Sequence, residues 1–232
     1  MKDRRPLAGG LRGFRGRLAA TELVAIGTGV GMDRAREVAR RAFEQFPDPE
    51  LIIATGVAGG LSAGLKAGDT IVANRVLARN LKSIEHVHSA EERHHARVGH
   101  ALRAAGLSYA NGAVLSSRTM LASKEEKRQA KDDSGAIAVD METAALASEA
   151  LARGLGFVCV RTVIDEIDDE LPMIELDGTG RVRPLAAMRY LATNPRALLL
   201  LPRTMRNMAR ATRSIADALE AIAKELSNAA PG

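Results

Sequence analysis

Two carboxylates stand where apolar, strand-like segments run out. Glu142 closes Val139-Asp140-Met141-Glu142, and Asp165 closes Phe157-Val158-Cys159-Val160-Arg161-Thr162-Val163-Ile164-Asp165. In an α/β sheet, ligands sit at the carboxyl ends of strands. Two acids placed there can divide the work of bond cleavage, one accepting hydrogen bonds from substrate hydroxyls and the other delivering a proton. Each also has a plainer reading: an acid is favoured at a helix N-terminus, as Glu142 would be, and an aspartate such as Asp165 caps helices and opens turns. A third segment shifts the balance toward chemistry. Leu51-Ile52-Ile53-Ala54-Thr55 is an apolar, β-branched run, and Gly56-Val57-Ala58-Gly59-Gly60-Leu61 after it lets the backbone approach a ligand closely.

These residues need elements to hold them. Apolar strand-like runs fall at about 22–27, 51–55, 69–77, 110–116, 136–140 and 157–164, alternating with helix-like patterns at about 33–46, 90–105, 123–134 and 142–153. That alternation predicts a sheet covered by helices on both faces, and 232 residues suffice for one α/β domain with a buried core. Asp33 is expected to cap the helix after Gly27-Thr28-Gly29-Val30-Gly31. The same glycines lack the third glycine of a dinucleotide fingerprint, because Met32 follows Gly31, and this argues against such a cofactor. After Pro184 the chain reads as helix to its end. Met205, Met208, Thr212, Ile215, Leu219, Ile222 and Leu226 form a stripe expected to pack on the body of the fold.

Charge is distributed in blocks. The formal net charge of +5 arises from a basic arm over residues 1–17 and a segment, 181–213, that holds eight arginines and no acid, around an acidic middle. The arginines are Arg181, Arg183, Arg189, Arg196, Arg203, Arg206, Arg210 and Arg213, beside Leu198-Leu199-Leu200-Leu201. They suit peripheral contact with an anionic membrane, or pairing with the acidic middle of the chain. The N-terminal arm has no apolar signal region and no run is long enough to span a bilayer, so a cytoplasmic protein, peripheral at most to the inner membrane face, is expected. Trp is absent and aromatics make up 3% of the chain, which removes the stacking platforms of a nucleic-acid binder. Cys159 sits alone in an apolar strand and reads as a buried, inert thiol in a reducing compartment. His86, His88, His94, His95 and His100 lack metal-site spacing and a cysteine partner, so no metal is expected, and the segment reads as a solvated loop and helix start.

Taken together, Gly27-Thr28-Gly29-Val30-Gly31, Thr55-Gly56-Val57-Ala58-Gly59-Gly60-Leu61 with Gly68-Asp69, Val139-Asp140-Met141-Glu142 and Arg161-Thr162-Val163-Ile164-Asp165 resemble, in order and spacing over roughly residues 14–170, the purine nucleoside phosphorylase and nucleosidase superfamily. The resemblance implies a single-domain three-layer α/β/α fold with a mixed sheet flanked by helices, and cleavage of a purine N-glycosidic bond by water or phosphate without a cofactor. It implies that Asp165 protonates the leaving purine, that Glu142 accepts from the ribose hydroxyls, and that Arg161 lies near the sugar and nucleophile. Val30, Val57, Ala58, Gly59, Met120 and Met141 would line the rest of the pocket. Glu142 is a candidate for the negative charge that keeps Asp165 protonated. The resemblance also implies a homo-oligomer, most simply a dimer, with the histidine segment bordering a pocket, in some relatives that of the neighbouring subunit. Asp165-Glu166-x-Asp168-Asp169-Glu170-Leu171-Pro172 and the basic C-terminal helix are similar to the hopanoid-associated phosphorylase branch, which is linked to adenine release from an adenosyl lipid.

Two features depart from the family. Residues 1–13 show neither the strand nor the glutamate with which it normally begins, and Val57 stands where many relatives carry serine. The expected organisation is therefore a basic arm over 1–13, the α/β domain over 14–180, and a helical extension over 181–232 packed on the same domain. A nucleoside-binding or membrane-associated protein that keeps the fold without the chemistry is the alternative.

Overall fold

The computed structural model describes residues 2–18, 21–80, 83–171, 193–194 and 196–228. Nine strands and five helices are assigned in this part of the chain. The strands are β1 (Lys2–Pro6), β2 (Gly13–Leu18), β3 (Thr21–Ile26), β4 (Ile52–Gly60), β5 (Thr70–Arg79), β6 (Ile84–Ser89), β7 (Tyr109–Ser116), β8 (Ala138–Asp140) and β9 (Phe157–Asp165). The helices are α1 (Met32–Gln45), α2 (Glu92–Ala104), α3 (Lys124–Ser134), α4 (Thr143–Leu151) and α5 (Arg196–Asn228).

The main sheet has six strands in the order β6-β5-β7-β8-β4-β9, and β5 also pairs with β9. That extra pairing closes β5, β7, β8, β4 and β9 into a ring, with β6 attached to its outside. The sheet is mixed: β4 runs parallel to β9 and β5 parallel to β7, whereas β8 is antiparallel to β4 and β5 to β9. Eight of the nine residues of β9 are buried, as expected of a strand covered on both faces. One face carries α1 and α4, whose small residues Ala35, Ala144, Ala145 and Ala147 bring the helices close against Ala54, Ala58, Ile71, Val114 and Phe157. The other carries α2 and α5, through Val98, Leu102, Ala218 and Ile222 packed on Val72, Val158 and Val160. This is the three-layer α/β/α architecture, and the described part of the C-terminal extension packs on the same body.

The expected N-terminal arm is corrected in part. Lys2–Pro6 is a strand, paired antiparallel to β2 in a separate three-stranded sheet, β1-β2-β3. Its sequence gave no apolar alternation because it is an edge strand whose described side chains from Asp3 to Pro6 are exposed, so main-chain pairing holds it in place of burial. The helix stripe holds at its C-terminal end, where Ile222 and Leu226 pack on the body, and is corrected at the other. Met205 is 72% exposed and Met208 43%, while the face turned inward holds Asn207, Ala211, Ala218 and Ile222. Small residues let α5 lie close to the sheet, so the larger methionines sit on its flank. Residues 172–192, including Arg181, Arg183 and Arg189, lie outside the described residues.

The histidine segment is not a solvated loop. It forms β6 and the start of α2, with His88 and His94 buried. His88 meets the Phe157 ring edge-on at 5.3 Å, and burial pushes its pKa down. Among the described residues no cluster of three or more His, Cys, Asp or Glu is arranged to hold a metal.

Candidate active site

Strand β4 is the axis of the site. Its register with β9 sets Gly56 beside Arg161 and Gly59 beside Asp165, and its pairing with β8 sets Gly59 beside Val139, just before Asp140. The two stations are three residues apart along the strand, about 10 Å at the usual rise. That is the scale of a base joined to its sugar.

At the Gly59 station, the Asp165 carboxylate is 2% exposed and lies over the strand backbone. A Cβ at Gly59 would sit 3.2 Å from Asp165 Oδ2 and 3.3 Å from Val139 Cγ1, so the missing side chain makes room for the acid. Burial raises the Asp165 pKa, Lys127 opposes that rise, and Asp169 adds to it. Glu142 has no part in it, which corrects the expectation that its charge keeps Asp165 protonated. Burial is the largest cause favouring the protonated form, with Asp169 in support. Lys127 was not foreseen. It is fully buried, its Nζ contacts Asp165 Oδ2 in an ion pair, and it donates to the carbonyls of Glu166 at 2.9 Å and Asp169 at 2.7 Å. Its helix, Lys-Glu-Glu-Lys-Arg-Gln-Ala-Lys-Asp-Asp-Ser, is charged throughout and reads as solvated; only Ala130, three residues on and also buried, hints at an inward face.

At the Gly56 station, a buried polar cluster shapes the start of α4. Asp140 accepts from Ser116 Oγ at 2.6 Å and from Arg161 Nη2 at 2.6 Å, and Thr143 Oγ1 is in close contact with the same carboxylate. Arg161 also donates to Thr143 Oγ1 from Nε at 3.0 Å and from Nη2 at 2.6 Å. Those donors are spent on the protein, so the geometry makes Arg161 an organiser of the Asp140-Thr143 turn. Gly56 is required here: its φ is +152°, and a Cβ would lie 2.4 Å from Arg161 Nη1.

Glu142 projects from the N-cap position of α4, and its Oε1 accepts from Gly31 N at 2.7 Å. Gly31, with φ 96°, is itself the N-cap of α1. Asp33 lies in the first turn of α1 without capping it; a glycine in the left-handed region turns the chain there instead. The contact brings the loop holding Val30 to the carboxylate at the other station. Burial raises the Glu142 pKa and the Gly31 N–H draws it back. Val30, Val57, Met120 and Met141 are each partly exposed and border neither of the two cavities described below, whereas Ala58 is buried in the core. Cys159, behind the site, is buried with its pKa pushed up to about 11, the inert thiol expected.

A cavity of about 230 Å³ opens against Asp165, walled by the loop from Asp168 to Leu171 and by Leu200, Arg203, Thr204 and Asn207 of α5. A more open groove of about 500 Å³, between Gly68-Asp69 and Arg206, Arg210 and Arg213, touches none of the predicted site residues. The site at the carboxyl end of β9 is the one with chemistry in it.

A mixed α/β ring with helices on both faces and paired carboxylates at its strand ends defines a class of small-molecule enzymes. The chain belongs to the Phosphorylase superfamily, whose pattern matches residues 3–189, and it is an enzyme of the nucleosidase type. It is 27% identical over 173 residues, 69% of this chain and 75% of the relative, to the 5′-methylthioadenosine/S-adenosylhomocysteine nucleosidase of Actinobacillus succinogenes. Among solved structures, the nucleosidase of that name from Neisseria meningitidis, in complex with methylthio-immucillin-A, matches with a TM-score of 0.74 at 20% identity, covering 97% of this chain and 90% of the other. Futalosine hydrolase of Helicobacter pylori matches with a TM-score of 0.72 at 18% identity, covering 96% and 88%.

Proposed function

We propose that the protein cleaves the N-glycosidic bond of a purine nucleoside, with an adenosyl nucleoside as substrate and water or phosphate as the attacking group. One observation carries this reading: the buried acid Asp165 lies against Gly59 of β4 and borders a cavity, while Glu142 follows the end of β8, the strand paired to β4 at that same glycine. Asp165 donates its proton to a ring nitrogen of the purine as the bond to the sugar breaks, and the bonding electron pair leaves with the base. Glu142 accepts from the ribose hydroxyls and holds the sugar while it carries positive charge. Arg161 and Asp140 keep Glu142 in place by fixing the first turn of α4.

Positioned general acid catalysis contributes roughly 10²–10⁴-fold, so removing Asp165 should leave binding and little turnover. The test is release of free base from a panel of nucleosides, among them 5′-methylthioadenosine, S-adenosylhomocysteine and an adenosyl lipid, with and without phosphate. Release that requires phosphate identifies a phosphorylase, and release without it a hydrolase. Binding without release from every member supports the second reading, a nucleoside binder without turnover. That reading is favoured by the absence of glutamate from residues 1–13, where the one acid is the exposed Asp3.

A further inference from the structure

Lys127 has three ammonium protons and, in this fold, three oxygens to receive them: Asp165 Oδ2, the Glu166 carbonyl and the Asp169 carbonyl. With no exposed surface, it is out of reach of solvent. Both oxygens of Asp165 are buried and neither makes a regular hydrogen bond; Oδ2 is the one in contact with the Lys127 ammonium, which leaves Oδ1 without a partner of either kind. A buried ammonium is retained only where its charge and its hydrogens are both satisfied. Here that satisfaction comes from the acid and from the two ends of the turn that follows it.

We propose that Lys127 is a positioning residue for the acid step: by occupying Oδ2 and tying down the turn from Glu166 to Asp169, it leaves Oδ1 as the atom that carries the proton to the leaving base. The inference rests on the base-release reading for its consequence, though not for its geometry. For the step, Asp165 must carry the proton as a carboxylic acid beside an ammonium, a form that burial favours and Lys127 opposes. As the glycosidic bond breaks, the proton moves from Oδ1 to the ring nitrogen and the carboxylate left behind is stabilised by Lys127, which keeps all three of its own protons. With water as the nucleophile, the proton that water releases restores the acid. Lys127 thereby makes Asp165 a willing donor, while burial favours the protonated form beforehand.

The other charges around the pair are already engaged. Glu166 is bridged to Lys66 at 2.8 Å, Asp169 to Arg203 at 2.7 Å and Asp168 to Arg128 at 2.6 Å. Among the described residues Lys127 is the cation in direct contact with Asp165, and Asp169 is the acid whose charge opposes it there.

The experiment is a titration of the Asp165 carboxyl by carbon-13 NMR in aspartate-labelled protein, assigned by the signal lost in Asp165→Asn. It is read in wild type, Lys127→Arg, Lys127→Gln and Lys127→Met. The expected result is a midpoint that moves to higher pH in the Gln and Met variants and stays near wild type in Arg. In parallel, kcat should fall at least tenfold in Gln and Met with KM changed less than threefold, Arg should restore part of it, and the alkaline limb of the pH profile should move up with the NMR midpoint. A midpoint unmoved in a folded Gln or Met variant overturns the proposal, as does an unchanged kcat. Should Met fail to fold, Gln, one atom shorter than Lys, keeps a donor without the charge and decides the matter. If wild type releases base from no nucleoside, the base-release reading falls, and the NMR midpoint still decides whether Lys127 governs Asp165.

Discussion

Glu142 and Asp165 are both acids whose pKa is raised mainly by burial, yet they are held differently. Asp165 has an ammonium against one oxygen, whereas Glu142 has a backbone N–H from Gly31. Removing the charge from Glu142 is therefore the milder change. Glutamine keeps the acceptor for Gly31 and lacks the ionised form that burial disfavours. A raised folded-state pKa means that the native protein binds more protons than the unfolded chain, so wild type loses stability as pH rises from the unfolded pKa toward the folded one. Glu142→Gln should thus match wild type in melting temperature at acid pH and exceed it by a growing margin as pH rises toward neutral, while substrate binding and turnover both weaken. Thermal melts over a pH series, with KM and kcat beside them, check both halves. Asp165→Asn should keep nucleoside affinity within a few-fold and lower base release by roughly 10²–10⁴-fold, measured by single-turnover assay.

At the scale of elements, β4 does more than support the sheet. Two of its glycines make room for two functional neighbours, Gly56 for Arg161 and Gly59 for Asp165. Gly56→Ala combines a backbone conformation that alanine rarely adopts with a collision against the guanidinium, and should cost about 1–3 kcal/mol of stability or more. Urea unfolding measures it, and a loss of a few tenths would mean that Arg161 can move without consequence. The strands β4, β5 and β9 and the four short helices were legible in the sequence because burial on one or both faces writes itself into apolar runs. The glycine stretch and the two strand-end acids were legible for the same reason. β1, β2 and β6 were not: they are held by cross-strand pairing and carry arginine, glutamate and histidine in place of an apolar pattern. Lys127 was hidden by its neighbours, since the charged residues on either side of it serve solvent and only its own side chain turns inward.

For the molecule as a whole, the basic C-terminal segment is partly accounted for. Arg203 bridges Asp169 and approaches Glu166, as the pairing reading requires, whereas Arg206, Arg210 and Arg213 border the open groove on α5 with the exposed Met205 and Met208 on the same helix. Among the described residues no helix is long and apolar enough to cross a membrane. Basic residues near anionic lipid contribute about 1 kcal/mol each, so co-sedimentation with anionic vesicles at low salt is expected and should weaken when Arg206, Arg210 and Arg213 are all replaced by glutamine. Binding that survives this replacement assigns the attraction elsewhere in the chain. The flank of α5 bearing Met205, Met208 and Leu219 is also the apolar surface on which a dimer is expected. Light scattering at micromolar concentration should give twice the chain mass, and Met208→Glu should shift it toward one.

The closure of the ring by β9 has a consequence in time. β4 and β9 are neighbours in space but on the order of a hundred residues apart along the chain, and contacts of that separation slow folding. Until residue 165 has left the ribosome, β4 and β5 each lack a partner that β9 supplies, and every residue proposed for the chemistry except Asp165 and Arg161 is already made. The nascent chain therefore waits with open sheet edges for the last of the described strands, and that strand brings the acid with it. Competence for the reaction should appear together with native protection of β4 and β5 in pulse-labelled hydrogen exchange, in a single late step.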